Sequence, residues 1–110
     1  MGKASREKGK RGEREVAHFI QGYGIPARRG QQFSGKNGDA DVVGLEGVHI
    51  EVKRVERLNI ENAMAQSIGD ALEGEVPVVF HRKDRGKWLV TMLASDFMTA
   101  YEKCQKQKEQ

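Results

Sequence analysis

The chain has 110 residues, with 19 basic and 16 acidic side chains, a formal net charge of +3 and a single cysteine. This length suits one compact domain, and a lone Cys104 excludes an internal disulfide and a cysteine-rich zinc module. No apolar run approaches the roughly 18 residues of a membrane span, and the basic N-terminus lacks the apolar segment of a signal peptide. The composition therefore predicts a soluble intracellular domain.

Basic residues are concentrated near the N-terminus. Residues 1–36 hold nine basic and three acidic side chains, whereas the remaining 74 residues hold ten basic and thirteen acidic ones. A basic segment on a mildly acidic body favours a polyanionic partner, because contact with phosphates releases counterions; a solvated terminus would give the same pattern. We expect a basic flexible arm over residues 1–9, a single domain over 10–103 and a disordered polar tail over 104–110.

The first half of the chain predicts a helix followed by three strands. The helix is expected over Lys10–Gln21 and ends at two glycines. Its apolar face comprises Val16, Phe19, Ile20 and Tyr23. A strand is expected over Ile25–Phe33, and after a glycine-rich loop two further strands over Asp39–Leu45 and Val48–Val55. Glu46-Gly47 between these two strands is typical of a tight hairpin turn.

The second half predicts a helix, two strands and a last helix. Asn59 is a good N-cap for a helix that ends at Gly74. Its inward row at i+4 spacing is Ile60, Met64, Ile68 and Leu72. Strands are expected over Val76–His81 and Trp88–Met92, and Ser95 can cap a final helix. The inward residues of that helix would be Phe97, Met98, Tyr101 and Cys104. This α-β-β-β-α-β-β-α order is typical of an α/β protein with a mixed sheet flanked by helices.

The strand Val48–Val55 carries charged residues within an apolar sequence. Strand alternation places Glu51 and Lys53 on one face, and the hairpin brings the strand of Asp41 beside them. Charged groups in so apolar a strand need partners, and carboxylate pairs are ligands that Mg²⁺ accepts. A metal held there would polarise a phosphate and acidify an attacking water, while a lysine would offset the charge that develops. The pattern predicts phosphodiester hydrolysis; an ordinary cross-strand salt bridge is the alternative.

Asp41-x9-Glu51-Val52-Lys53 resembles the PD-(D/E)XK nuclease motif, and Lys-Gly-Lys-Arg-Gly-Glu-Arg-Glu over residues 8–15 resembles the start of archaeal-type (Hjc-like) Holliday-junction resolvases. The resemblance implies a restriction-endonuclease-like core and a homodimer that cuts four-way DNA junctions symmetrically. It implies Mg²⁺, with Mn²⁺ as the alternative, and neither a small-molecule cofactor nor a membrane. The implied catalytic residues are Glu13, Asp41, Glu51 and Lys53, and the three acids would be the metal ligands.

One feature departs from the motif. Ala40 precedes Asp41 where the family has proline, and Asp39 has the same strand parity as Asp41. Either aspartate can therefore be the metal ligand, and we expect Asp41 because Asp-Val-Val fits the family. Helix geometry places Glu13 at the edge of the packed face of the first helix and Glu15 in solvent.

The predicted DNA-binding residues come from the same basic segment. Arg14 matches the family's DNA-contacting arginine, one of the pair Arg28 and Arg29 can present a bidentate guanidinium to a phosphate, and Ser34 lies where resolvases often use a serine. The full predicted set is Arg11, Arg14, Arg28, Arg29, Ser34 and Lys36.

Alternatives to a resolvase are a flap or nicking nuclease of the virus-type replication–repair (VRR-NUC) kind and a non-catalytic DNA-binding protein. Gln66 is expected to face away from the site, which counts against the first, and the acid–acid–lysine set counts against the second. The expected location is the cytoplasm, associated with the nucleoid or, for a viral protein, within the host cell.

Overall fold

The computed structural model describes residues 3–31 and 40–108. Its elements are α1 (Lys3–Gln21), β1 (Arg28–Arg29), β2 (Val42–Val43), β3 (Val48–Arg54), α2 (Ile60–Asp70), β4 (Val76–Arg82), β5 (Leu89–Met92) and α3 (Ala94–Lys108). The predicted α/β class and element order are confirmed, although β1 and β2 are two-residue strands rather than the longer strands expected. No helix within the described part of the chain is long and apolar enough to cross a membrane.

The five strands form one mixed sheet in the order β1-β2-β3-β4-β5. β3 and β4 are parallel and α2 connects them, whereas all other neighbouring strands are antiparallel. In the parallel pair Glu51 lies opposite Val79, and Lys53 lies opposite His81. The side chains of all four residues therefore project from the same face of the sheet.

α1 and α2 cover opposite faces of the sheet. Ile50 and Val52 of β3 pack against α1. Val79 of β4 packs against α2, on the same face of the sheet as Glu51. A hydrogen bond of 3.0 Å from Ser67 Oγ to the carbonyl of Val78 ties α2 to β4. The charged face of β3 is thus partly covered by α2, which places ionisable groups next to the core.

The buried faces of both helices match the prediction in part: Val16, Ile20 and Met64 are buried as expected. α1 buries Val16, Ala17 and Ile20, while Phe19 and Tyr23, predicted to face inward, are 46% and 72% exposed. α2 buries Ala63, Met64 and Ser67, whereas Ile68 and Leu72 face solvent. Small residues lie against the sheet because they allow the helix backbone to approach it closely. A pattern that counts only large apolar residues misses this preference.

Both chain ends also depart from expectation. α1 starts at Lys3, so residues 3–9 of the predicted flexible arm are helical. The helix α3 extends to Lys108 and includes much of the predicted disordered tail. None of its described residues is buried, so Phe97, Met98, Tyr101 and Cys104 face solvent rather than the core. The apolar spacing was therefore correct for a helix and wrong about what that helix packs against.

Gly44 fixes the start of the sheet. Its φ is +117°, and a Cβ at this position would lie 2.7 Å from Cα of Ala27. Only glycine fits so close a backbone approach at positive φ. The contact holds the segment before β1 against the end of β2, and thereby positions Arg29 and Asp41 at the same edge of the sheet.

Candidate active site

Asp41 is fixed to β3 by both its backbone and its side chain. Its N–H donates to the carbonyl of Ile50 at 3.0 Å, and its Oδ2 accepts from the N–H of Val52 at 2.8 Å. A further bond of 2.9 Å joins the N–H of Gly30 to the carbonyl of Asp41. The Asp41 carboxylate therefore lies beside that of Glu51, where the hairpin was expected to place it.

The two carboxyl groups perturb each other's ionisation. Burial raises the pKa of Asp41 to about 7, and the negative charge of Glu51 acts in the same direction. Burial also raises the pKa of Glu51, but hydrogen bonds with His49 and Asp41, together with the charges of His49 and Lys53, outweigh it and leave that pKa lowered. Near neutral pH, Glu51 is thus ionised while Asp41 retains a proton part of the time.

Glu13 approaches the same centre from α1. Its Oε1 accepts a hydrogen bond of 3.0 Å from Nε of Arg29 on β1, and its charge contributes to the raised pKa of Asp41. Glu15 was expected in solvent, but its Oε1 lies 3.6 Å from Nε of Arg54 and 3.4 Å from Nε of Arg82. The two acids therefore face different surroundings, and only Glu13 is directed toward Asp41.

Lys53 lies two residues beyond Glu51 on the same face of β3 and is partly buried. Its positive charge helps to lower the pKa of Glu51. An ammonium group next to two carboxylates can orient a water molecule or stabilise negative charge that develops on a phosphate. The position is therefore suited to the role that the motif assigns to it.

His49 is a member of the site that sequence reasoning underrated. It is 5% exposed, and its Nε2 lies 2.9 Å from Oε1 of Glu51, which is itself 4% exposed. Nδ1 lies 3.7 Å from Oε1 of Glu75. The hydrogen bond to Glu51 raises the pKa of His49, against the effect of burial. Strand alternation places His49 on the same face as Glu51, so the sequence could indicate this residue. Glu75 lies in the segment before β4, and nothing in the sequence predicts its contact with His49.

The carboxylates around Glu51 have the chemistry of a divalent-cation site. Asp41 and Glu51 supply hard oxygen ligands of the kind that Mg²⁺ and Mn²⁺ bind, and Glu13 adds a third acid. Burial and the charge of Glu51 raise the pKa of Asp41, so a second negative charge beside Glu51 favours a neutralising proton or ion. A second arrangement also includes Glu51, because single ligand atoms of His49, Glu51 and Asp70 lie within 4.8 Å of one another. Both arrangements share Glu51, and the residues present fit a bound cation.

The structure divides the predicted DNA-binding residues into three groups. Arg11 and Arg14 are exposed on α1. Of the pair on β1, Arg29 is directed to Glu13, whereas Arg28 is exposed and its Nη1 donates to the carbonyl of Arg29 at 3.1 Å. The remaining predicted residues, Ser34 and Lys36, lie outside the described residues, as does Asp39. Asp41 is therefore the described aspartate next to Glu51.

Comparison with known proteins supports the fold assignment. No family model matches the chain, and no curated protein matches it. Among solved structures, the chain is similar to Hjc, a Holliday junction resolvase from the archaeal hyperthermophile Archaeoglobus fulgidus, with a TM-score of 0.50 and 22% identity. The similar region covers 77% of this chain and 72% of the archaeal one. The resemblance to archaeal-type resolvases is thus confirmed at the level of the fold, which is restriction-endonuclease-like.

Proposed function

We propose that this protein is a metal-dependent endonuclease that hydrolyses phosphodiester bonds in branched DNA, and specifically that it resolves four-way Holliday junctions. The observation that carries the proposal is the half-buried Asp41 next to the buried Glu51, with Lys53 two residues beyond Glu51 on β3. This acid–acid–lysine set lies on the fold of a protein described as a Holliday junction resolvase. A protein that only binds DNA would have no use for buried carboxylates, which repel phosphates.

Asp41, Glu51 and Glu13 would hold a divalent cation, Mg²⁺ or Mn²⁺. When bound, such an ion polarises a phosphate oxygen and lowers the pKa of a coordinated water. The chain's own groups have separate tasks. Lys53 orients the attacking water and offsets charge on the phosphate, His49 fixes the orientation of the Glu51 carboxylate at 2.9 Å, and Arg29 holds Glu13 at 3.0 Å.

The exposed arginines supply contacts to the DNA backbone. Arg11 and Arg14 project from α1 close in sequence to Glu13, and Arg28 is exposed at the sheet edge next to Arg29. Guanidinium groups bind phosphates in a bidentate manner. We propose that these residues, together with Ser34 and Lys36 of the segment between β1 and β2, position the strand so that the scissile phosphate reaches Lys53.

A resolvase needs two symmetric active sites, which we propose a homodimer supplies. The surface that supports this proposal is the apolar side of α3. Phe97, Met98 and Tyr101 are at least half exposed, and Leu93 at the start of the helix is 41% exposed. An isolated helix of this length is marginal in water, so a second copy of the chain would stabilise α3 by covering it.

Cleavage of a four-way junction with each strand end-labelled in turn tests the function. Paired, symmetric nicks near the branch point are expected with Mg²⁺ or Mn²⁺ and not with EDTA. Glu51→Gln and Lys53→Ala should abolish cleavage while junction binding is retained. Glu73→Gln, at an exposed carboxylate outside the site, and Lys106→Ala, on the side of α3 opposite Phe97, are the matched controls and should cut as the wild type does.

Linear duplex, flap and single-stranded substrates serve as comparisons in the same assay. Cutting of flaps, or nicking of plain duplex, would support the metal site but would show that the protein is a flap or nicking nuclease and not a resolvase. Tight junction binding without cleavage in either metal would show that the protein binds branched DNA but is not a nuclease. Normal cutting by either site variant would show that the active site lies elsewhere.

A further inference from the structure

A pocket of about 360 Å³ lies where the parallel strands β3 and β4 end, next to the start of α2 and to β5. Its walls are mainly apolar. The apolar wall residues are Val55, Leu58, Ile60 and Leu89. Two of them are substantially open to solvent, since Val55 is 38% and Leu89 is 58% exposed. The pocket thus offers an apolar surface that nothing in the described part of the chain covers.

The pocket adjoins the candidate active site. His81 lines it and lies opposite Lys53 in the parallel register, so both side chains project from the same face. Adjacent strands are about 4.8 Å apart. The pocket therefore begins one strand away from Lys53, within the reach of a nucleotide that neighbours the scissile phosphate.

The rim of the pocket is positively charged. Lys83 and Lys87 border it and are exposed. Arg82 also lines it, but its guanidinium carbon lies 5.6 Å from the ring centroid of Trp88 and its Nε lies 3.4 Å from Oε1 of Glu15, so the two lysines supply the uncompensated charge. The one acidic lining residue, Glu56, already accepts a hydrogen bond of 2.6 Å from the N–H of Asp84. An apolar interior with a basic rim is complementary to a ligand that joins a flat, weakly polar ring to negatively charged phosphates.

His81 gives the pocket a fixed polar group. Its Nε2 lies 2.8 Å from Oγ1 of Thr91, which holds the imidazole in one orientation. Burial lowers the pKa of His81, so the ring is neutral at physiological pH. A neutral ring can hydrogen-bond to a base without adding a charge to the apolar interior.

We propose that this pocket binds an unstacked nucleobase of the DNA strand that passes the active site, with Lys83 and Lys87 contacting the phosphates on either side of that base. The proposal rests on the proposed function and extends it to how a branched substrate is distinguished from duplex. Unstacking is least costly for a base that is already unpaired, and bases at a branch point are held by fewer stacking neighbours than those in a continuous helix. An apolar side chain of a protein partner would use the same walls but would leave the basic rim unmatched.

The test is a four-way junction with 2-aminopurine placed in turn at each position next to the branch point, bound to the cleavage-defective Glu51→Gln variant. Stacking on neighbouring bases or aromatic rings quenches this fluorophore. The described lining contains no phenylalanine, tyrosine or tryptophan, so a base that enters the pocket should fluoresce several-fold more strongly at one position. The same label in linear duplex should not change.

Two sets of variants connect the signal to the pocket. Leu89→Trp, which fills the pocket, should abolish the fluorescence rise and weaken junction binding by about tenfold, or about 1.4 kcal/mol, without weakening duplex binding. Leu72→Trp, at an exposed position beyond the other end of α2, is the control. Replacing Lys83 and Lys87 together by alanine should reduce the slope of log affinity against log salt by about two. The matching control replaces Lys103 and Lys106 of α3.

The outcomes separate this proposal from the proposed function. One outcome is that the wild type cuts the junction, no 2-aminopurine position becomes more fluorescent, and Leu89→Trp binds the junction normally. The proposal that the pocket binds a nucleobase is then wrong, while the proposed resolvase function is retained. If the wild type neither binds nor cuts branched DNA, the proposed function fails first. If Leu89→Trp instead turns a dimer into a monomer in sedimentation, while the fluorescence is unchanged, the pocket belongs to a contact between two copies of the chain.

Discussion

Replacing Asp41 by asparagine should make the metal-free protein more stable and at the same time unable to bind the cation. The pKa of Asp41 is raised from 3.8 to about 7, first by burial and then by the charge of Glu51. Between these pH values the folded chain holds a proton that the unfolded chain has released, so the free energy of unfolding falls as the pH rises. At about 1.4 kcal/mol for each pH unit, the difference amounts to about 4 kcal/mol at pH 8, as an upper bound because Glu51 shares the proton.

The asparagine side chain of the Asp41→Asn variant would avoid this loss. It stays neutral at every pH, and its amide oxygen can still accept the hydrogen bond from the N–H of Val52. We therefore expect the variant to be more stable than the wild type by about 2–4 kcal/mol at pH 8 in EDTA. The difference should shrink to about 1–2 kcal/mol at pH 5, where the folded chain still holds the proton but the unfolded chain, with the ordinary pKa of 3.8, has released it. The comparison between the two proteins removes the contribution of His49, which titrates in both.

Urea unfolding followed by the fluorescence of Trp88, the only tryptophan in the sequence, measures these differences at both pH values. Adding Mg²⁺ or Mn²⁺ at pH 8 should stabilise the wild type and not the variant. Glu73→Gln, at an exposed carboxylate outside the site, is the control and should not change the dependence on pH. A variant that is less stable than the wild type at pH 8 without metal, or that gains equally from metal, would refute the reasoning.

Three further substitutions test the backbone, the DNA surface and the dimer. Gly44→Ala should lower the free energy of unfolding, measured by urea titration, by more than about 2 kcal/mol, because a Cβ would lie 2.7 Å from Cα of Ala27 at positive φ. Gly47→Ala is the control: its φ is +82° but the space around it is open, so the same titration should show a loss of only about 1 kcal/mol. Removing the basic charges within Lys3–Gly9 should weaken junction binding and flatten its salt dependence in anisotropy titrations, and an unchanged slope would exclude this part of α1 from the DNA surface. Phe97→Asp should prevent the proposed dimer from forming in sedimentation, and a dimer that persists would place the interface elsewhere.

The placement of the proposed catalytic residues was accessible from the sequence because it depends on short-range geometry. Glu51 and Lys53 share a face of β3 through strand alternation alone, and a tight turn brings Asp41 to the same strand. The hydrogen bond from Val52 to Asp41 shows how closely the two segments are joined. The roles of these residues in cleavage stay a prediction, since their placement is all that the structure describes.

Contacts that depend on packing between distant segments were not accessible in the same way. Glu75 reaches His49 from the segment before β4, and Glu15 of α1 lies close to Arg54 and Arg82, which come from two different strands. The helical period predicted that Val16, Ile20 and Met64 face inward, but it did not predict that Ala17 and Ala63 are buried while Phe19 and Ile68 are exposed. A pattern that counts large apolar residues does not distinguish these two outcomes.

The charge distribution around Glu51 suggests why the site tolerates so many ionisable groups. Glu51 is flanked by His49 and Lys53, and Glu13 is paired with Arg29, so two of the three acids have a cationic neighbour from the chain itself. Asp41 is the acid whose charge is least compensated, and its pKa is accordingly the one that rises to about 7. A divalent cation would replace the proton on Asp41 rather than disturb the pairs already formed. Binding of the ion would then release a proton near neutral pH, and it would complete the site without rearranging the side chains that orient it.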